Sequence, residues 1–111
     1  MYKYIMKLTI ENSKAKDKRF VAIFTDGSRS KAKKGKSKRV NFGLKNPKIG
    51  TYIDHGDKVS RKNYIARHEA TETKFYVDPQ RAATLSRFIL WGPDTSLKQN
   101  IQKYKDKYNL E

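Results

Sequence analysis

The chain has 111 residues and a formal net charge of +15, with 26 basic and 11 acidic side chains. It contains no cysteine, which excludes disulfides, thiolate zinc sites and thiol nucleophiles. No apolar run approaches the roughly 18–20 residues that a transmembrane helix needs. Hydrophobic residues make up 36% of the chain, enough for one modest core, and we therefore predict a single domain over residues 1–111.

Positive charge is concentrated in the N-terminal half of the chain. Residues 1–50 hold 15 basic and 3 acidic side chains, whereas residues 51–111 hold 11 basic and 8 acidic ones. Residues 28–39, called the basic arm below, contain seven cations and no acid. These cations are Arg29, Lys31, Lys33, Lys34, Lys36, Lys38 and Arg39. Such a segment repels itself unless an anion neutralises it, so it indicates nucleic acid, an anionic membrane surface or an acidic protein surface as partner.

Three strands are predicted in residues 1–45. Apolar and polar residues alternate over residues 2–10, which is typical of a strand with one buried face. Residues 19–25 are apolar on both faces and rich in β-formers, which indicates the central strand. An Asp-Gly turn follows, and Val40 and Phe42 alternate with polar neighbours in a third strand. The basic arm is then the loop of a long hairpin, where its lysines either bind an anion or only keep the loop soluble.

A change of period marks the start of the helical part. Residues 42–56 contain several glycines and a proline and are predicted to be an irregular connector. Asp57 is the expected N-cap of a short amphipathic helix that includes Val59 and Tyr64.

Two further helices are predicted from their end signals. The Asp-Pro pair at 78–79 indicates a helix with an acidic N-cap and Pro at its first position, and the Gly-Pro pair at 92–93 indicates its end. Thr95 or Ser96 caps the last helix. Its apolar stripe consists of Leu97, Ile101, Tyr104 and Tyr108. The predicted fold class is therefore α+β: an antiparallel β-meander of about three strands (residues 1–45) followed by two or three amphipathic helices (residues 57–110).

Two groups of residues are candidates for a chemical site. Asp54, His55 and Asp57 share one turn and can in principle coordinate a cation, as in a metal-dependent nuclease, but a turn that caps a helix explains them better. Tyr64, Arg67 and His68 resemble residues of nucleases and recombinases, but a structural role explains them better, because the macrodipole favours Arg67 and His68 near a helix C-terminus. We predict no catalytic residue, no metal and no cofactor, and hence no enzyme.

Binding fits the composition better than catalysis. Lysine and arginine that neutralise phosphates give affinity that depends steeply on salt and little on sequence. No helix-turn-helix, zinc-finger or RNP-type motif is present to read bases specifically. Tyr2, Tyr4 and Phe42 could stack on bases, but their alternation favours a place in the core.

Five segments of the chain resemble a known family. They are residues 18–25 (KRFVAIFT), 40–43 (VNFG), 64–68 (YIARH), 78–79 (DP) and 85–92 (LSRFILWG). The resemblance is to small basic proteins of unknown function encoded by giant, nucleocytoplasmic large DNA viruses, and residues 85–92 are its most specific part. Since that family has no established activity, the resemblance implies an origin and no catalytic residues.

The resemblance and the charge together give two expectations for function. The first is a non-enzymatic virion component, a minor capsid or core-associated protein whose basic arm contacts acidic protein surfaces or packaged DNA. The alternative is a sequence-independent nucleic-acid-binding accessory protein in viral replication, transcription or genome condensation. Expected partners are capsid proteins, nucleic acid or both, with no small-molecule substrate. The expected location is the virion, and the host cytoplasm or viral factory during assembly.

Overall fold

A computed structural model of the chain describes residues 6–26, 37–45 and 50–111. It has a three-stranded antiparallel sheet followed by helices, so the predicted α+β fold is confirmed. Tyr2, Tyr4 and the Gly27 turn lie outside the described residues, as do residues 28–36 of the basic arm.

The sheet is a meander with the predicted central strand in its middle. Its strands are β1 (Met6–Asn12), β2 (Lys18–Asp26) and β3 (Ser37–Leu44), in the order β1-β2-β3. The register places Leu8 opposite Phe24 and Phe20 opposite Phe42. These four side chains are at most 7% exposed. Because alternate residues of a strand share a face, they define the core face of the sheet.

The central strand is buried on both of its faces, as its apolar sequence predicts. Ala22 lies on the core face, while Val21 points the other way and is 3% exposed. The turn between β1 and β2 is fastened near Val21, where the Ser13 hydroxyl donates to Asn41 Oδ1 of β3 at 2.6 Å. Phe42 belongs to the core face and is 1% exposed, which fits the core interpretation of this aromatic residue.

The helical part contains two long helices and two short ones. Two of the predicted N-caps are confirmed: Asp57 accepts from the backbone N–H groups of Val59 and Ser60, and Ser96 accepts from that of Gln99. The helices are α1 (Tyr52–His55), α2 (Lys58–Glu72) with a 3-10 turn after it (Thr73–Phe75), α3 (Ala82–Leu85), which continues into a π-helical turn (Ser86–Leu90), and α4 (Leu97–Tyr108).

The predicted helix start at Asp78 is wrong. Asp78 Oδ1 accepts from the Gln80 backbone N–H at 2.9 Å, which closes a local turn and not a helix cap. The Pro79 carbonyl accepts from the Tyr104 hydroxyl at 2.6 Å, so α4 holds this backbone in a turn. The helix begins only at Ala82, after Arg81 in an extended conformation.

Helices α3 and α4 cover the core face of the sheet. Leu85, Ile89 and Leu90 from α3 and its π-helical turn are at most 2% exposed, as is Tyr104 from α4. The apolar stripe of α4 packs against this core, as predicted. Residues 110–111 extend the sheet beyond α4, since the Leu8 N–H donates to the Glu111 carbonyl at 2.8 Å. Burial raises the pKa of Tyr108 to about 12, in keeping with its role in this packing.

Candidate functional site: the basic arm and an aromatic pocket

The basic arm leaves the sheet at the end of the β2–β3 hairpin. Thr25 pairs with Ser37, so β3 begins inside the segment that the sequence assigned to the arm. Lys38 and Arg39 are therefore exposed residues of β3. The remaining predicted contact residues, Arg29, Lys31, Lys33, Lys34 and Lys36, lie outside the described residues.

The described end of the arm joins a polar face of the sheet that carries the cations Lys7 and Arg39 and, farther along, the exposed acid Glu11. Arg39 pairs with Ile23, and Ile23 with Thr9, on the face opposite the core. Lys7 lies on the same face, and the Lys7, Thr9 and Arg39 side chains are all exposed. Because cations and hydroxyl groups are the usual ligands of phosphate oxygens, this face offers the same kind of phosphate ligands as the arm.

The turn around His55 uses its carboxylates for structure. Asp54 forms two hydrogen bonds with the Arg19 guanidinium, at 2.7 and 2.8 Å. It also accepts from the N–H and the hydroxyl of Thr51. The Arg19 hydrogen bonds hold the pKa of Asp54 well below its usual range, despite an opposing effect of burial. This pair joins the central strand to α1.

Asp57 and His55 are engaged in the same turn. Asp57 caps α2, and hydrogen bonds led by that of the Ser60 hydroxyl lower its pKa. His55 Nδ1 accepts from the Asp57 N–H at 2.9 Å. Over the described ranges, no group of three or more His, Cys, Asp and Glu side chains is arranged to hold a metal ion. These contacts support the structural interpretation of the motif.

The Asp54 carboxylate makes the free energy of unfolding depend on pH in the acid range. Its pKa is lowered in the folded state, so its stabilising effect is present above the unfolded pKa of about 3.9 and is lost as the pH falls through the folded value. We expect Asp54→Asn to lower the free energy of unfolding by about 1–2 kcal/mol at pH 7. Urea unfolding at several pH values should show this difference shrinking below about pH 4.

The matched control is Asp17→Asn, the same change at an exposed residue in a left-handed turn conformation that Asn accepts. This substitution should leave the free energy of unfolding nearly unchanged at pH 7 and at pH 3. An effect of Asp54→Asn that stays constant from pH 7 to pH 3 would contradict the assignment.

Tyr64, Arg67 and His68 lie in the middle of α2 and not near its C-terminus, because the helix continues to Glu72. The Tyr64 ring stacks on Trp91, with 4.4 Å between ring centroids and an interplanar angle of 6°. It also stacks on His68 at 4.0 Å. The macrodipole explanation of Arg67 and His68 is therefore wrong, and their helix instead presents an aromatic stack beside Trp91. Val59, at 67% exposed, takes no part in this packing.

A pocket of about 470 Å³ lies between β3, α2 and the π-helical turn. Phe42, Leu90 and Trp91 contribute apolar walls. Its charged lining residues are Lys18 and Arg67, with His68 beside them, and no acidic residue lines it within the part of the chain described. We call it the aromatic pocket. It lies at the Lys18–Leu44 end of the hairpin, roughly 20 Å from the base of the basic arm at about 3.3 Å per strand residue.

Local backbone geometry creates the wall of the aromatic pocket. The Trp91 N–H donates to the Ser86 carbonyl at 3.1 Å, five residues back, which gives the wide π-helical turn. Ser86, Leu90 and Trp91 consequently line the same pocket. Gly43, with φ of +79°, lies so close to this turn that a β-carbon would come within 2.9 Å of Leu90 Cδ1. Turns of this kind are frequent at functional sites.

Two arginines hold Trp91 in position. Arg61 Nε donates to the Gly92 carbonyl at 2.8 Å and to the Trp91 carbonyl at 3.2 Å. Arg87, which is 9% exposed, also donates to the Trp91 carbonyl, at 3.2 Å. Burial, assisted by the neighbouring Arg87 charge, lowers the pKa of Arg61. The π-helical turn thus ends in carbonyl groups that accept hydrogen bonds from two guanidinium groups.

The sequence indicated the separate residues of the aromatic pocket but not their meeting. Tyr64, Arg67 and His68 form one candidate group because they are close in sequence. Trp91 directly precedes the Gly-Pro pair that predicts a helix end, and Lys18 directly precedes the predicted central strand. A signal was nevertheless present, since Tyr64 and His68 are four residues apart in a helix and therefore share a face on which two rings can pack.

These features define a strongly basic α+β domain with a hairpin arm and an aromatic pocket. The chain belongs to a protein family of unknown function, DUF5754, whose sequence profile matches residues 8–68, more than half of the chain. The match runs from β1 into α2 and so includes the sheet, the basic arm and Tyr64 to His68.

No curated protein and no solved structure is significantly similar to the chain. Among the described helices, none is both long and apolar enough to cross a membrane.

Proposed function

We propose that this protein is a non-enzymatic virion component of a giant DNA virus, bound through its basic arm to packaged DNA or to acidic surfaces of neighbouring virion proteins. The observation that carries the binding role is the position of the arm: its last two cations, Lys38 and Arg39, are exposed on a strand paired with the central strand of the core. These two cations are therefore anchored to the folded domain, so that a polyanion bound to them also lies against the sheet. The viral setting rests on the resemblance of residues 18–25 and 85–92 to the viral family.

The charges on the two faces of β3 favour an extended contact. Lys38 and Arg39 are successive residues of a strand and therefore point to opposite faces. Arg39 shares its face with Lys7 and exposed hydroxyl groups, so an anion that binds the arm can continue over the sheet. Because the sequence has no motif that reads bases, we propose that the arm contacts the phosphates of DNA or the carboxylates of a neighbouring protein.

Quantitative proteomics of purified particles tests the location. The protein should be present in particles at a constant ratio to the major capsid protein and should resist removal by a protease applied outside the particle. Its repeated absence from purified particles, when infected-cell lysates contain it, would exclude a virion role.

The second candidate is a nucleic-acid-binding accessory protein that acts during infection, in replication, transcription or genome condensation. The polar sheet face that carries Lys7 and Arg39 favours it, because this face offers phosphate ligands beyond those of the arm. It differs from the first candidate in location, not in chemistry. Detection in viral factories but not in particles would support it.

A further inference from the structure

We propose that the aromatic pocket binds a nucleotide unit, with the base against the aromatic wall and the phosphate at Arg67 and Lys18. This site is distinct from the basic arm and does not depend on the arm's proposed role. Two sources supply this chemistry, a free mononucleotide and the terminal nucleotide of a single strand, and the test below separates them.

The size of the cavity suits such a ligand. Pockets that hold small organic ligands usually measure about 300–1,000 Å³, and the aromatic pocket has about 470 Å³. A second cavity of about 330 Å³ adjoins it and shares Gly50, Arg67 and Trp91. The two together offer one space for a flat ring and another for the groups attached to it.

The residues that line the aromatic pocket favour a ligand with a flat, partly polar ring. Trp91 lines both cavities; its ring stacks on Tyr64, and its backbone carbonyl accepts from Arg61. Stacking of a base on an aromatic ring contributes about 1–3 kcal/mol. Ser86 adds a polar residue to the lining. A hydrogen-bonding heterocycle uses this combination better than an alkyl chain does.

The charges select an anion. Arg67 lines both cavities and Lys18 the larger one, while the described lining residues of both include neither Asp nor Glu. A guanidinium group binds phosphate oxygens through two parallel hydrogen bonds, which makes Arg67 the main phosphate ligand. Because Arg67 lies where the cavities meet, a phosphate there leaves room for a base on either side.

Intrinsic fluorescence gives a direct readout, because Trp91 is the only tryptophan of the chain. Titration with dAMP should quench it saturably, whereas deoxyadenosine and deoxyribose 5-phosphate should bind at least about tenfold more weakly, since each lacks half of the contacts. Quenching by a 5′-phosphorylated oligo(dA) alone would assign the site to strand ends, and quenching by both would include the free nucleotide. If neither dAMP nor the 5′-phosphorylated oligo(dA) gives saturable quenching, or if deoxyribose 5-phosphate binds as tightly as dAMP, the proposal is overturned.

Variants test the residues. Arg67 is exposed, so Arg67→Gln should leave the fold intact and weaken dAMP binding by about tenfold or more. The control is Lys62→Gln, which removes one exposed cation of the same helix outside both linings. Ala83→Leu should block binding by filling the cavity. Equal effects of the two Gln variants would reduce the site to general charge attraction and overturn the proposal.

A variant with all seven arm cations replaced by Gln separates this site from the arm. It should lose affinity for long DNA yet retain dAMP quenching, because the pocket is at the other end of the sheet. Loss of dAMP quenching together with DNA binding, in a folded variant, would contradict an independent pocket.

Discussion

Gly92→Ala is expected to lower the free energy of unfolding by about 3 kcal/mol or more, the largest effect of a methyl group added at any glycine that the structure describes. A β-carbon at this position would lie 2.3 Å from the Phe88 carbonyl oxygen and 2.7 Å from Asn100 Cγ. Neither neighbour can yield easily, since the first is backbone of the π-helical turn and Asn100 is fully buried. Urea denaturation measured by circular dichroism gives the free energy directly.

Gly56→Ala adds the same methyl group as a control. Its φ of +66° costs about 1 kcal/mol, but the nearest atom, Thr95 Cγ2, is 3.4 Å away. Equal free energies of unfolding for Gly92→Ala and Gly56→Ala would contradict the close packing of Gly92 against Phe88 and Asn100.

Asn100→Ala should lower the free energy of unfolding by about 2–4 kcal/mol. Asn100 is fully buried, and its side-chain amide donates to the Ile89 carbonyl at 2.9 Å and to the Asp94 carbonyl at 2.7 Å. Its carbonyl accepts from the Asp94 N–H at 3.0 Å. Alanine removes all three bonds and leaves backbone groups without their partner in the interior. Thermal and urea unfolding should both shift to milder conditions.

Asn63→Ala provides the comparison for the same substitution at an exposed helix position. It should be nearly neutral, since alanine favours helices and no buried bond is lost. A loss below about 1 kcal/mol for Asn100→Ala would mean that this amide does not fasten the loop between the π-helical turn and α4.

The sheet could be predicted because its pattern depends on local sequence. Leu8 and Ile10 alternate with polar neighbours, and residues 19–25 are apolar on both faces, so strand positions and the central place of β2 follow from burial alone. The caps at Asp57 and Ser96 were predictable for the same reason, since each satisfies N–H groups two or three residues away.

The helix around Leu85 was only partly predictable because distant residues determine its geometry. Asp78 and Pro79 have the sequence of a helix start, but the Tyr104 hydroxyl binds the Pro79 carbonyl from 25 residues away. The π-helical turn departs from the 3.6-residue period, and Arg61, which binds the Trp91 carbonyl at its end, comes from α2, 30 residues away in sequence. No local pattern encodes such contacts.

The candidate sites differ in the same way. The seven cations of the basic arm lie within one segment of twelve residues, so composition alone reveals them. The aromatic pocket combines Lys18, Tyr64 and Trp91 from separate parts of the chain, and only the packing of α2 against the π-helical turn brings them together.

The salt dependence of DNA affinity tests the central claim, that the basic arm is the polyanion-binding element. For wild-type protein on duplex DNA, the logarithm of affinity should fall against the logarithm of salt concentration with a slope near −0.9 for each phosphate neutralised, or about −6 if all seven arm cations engage. Two duplexes of unrelated sequence should give the same slope and similar affinities.

The measurement is made on three proteins. One variant replaces Arg29, Lys31, Lys33, Lys34, Lys36, Lys38 and Arg39 with Gln; a control replaces seven exposed lysines elsewhere, Lys14, Lys16, Lys45, Lys58, Lys62, Lys98 and Lys103. We predict that the arm variant loses most of the slope and that the control, with the same net charge, keeps most of it. An arm variant whose slope equals that of the wild-type protein would contradict the account.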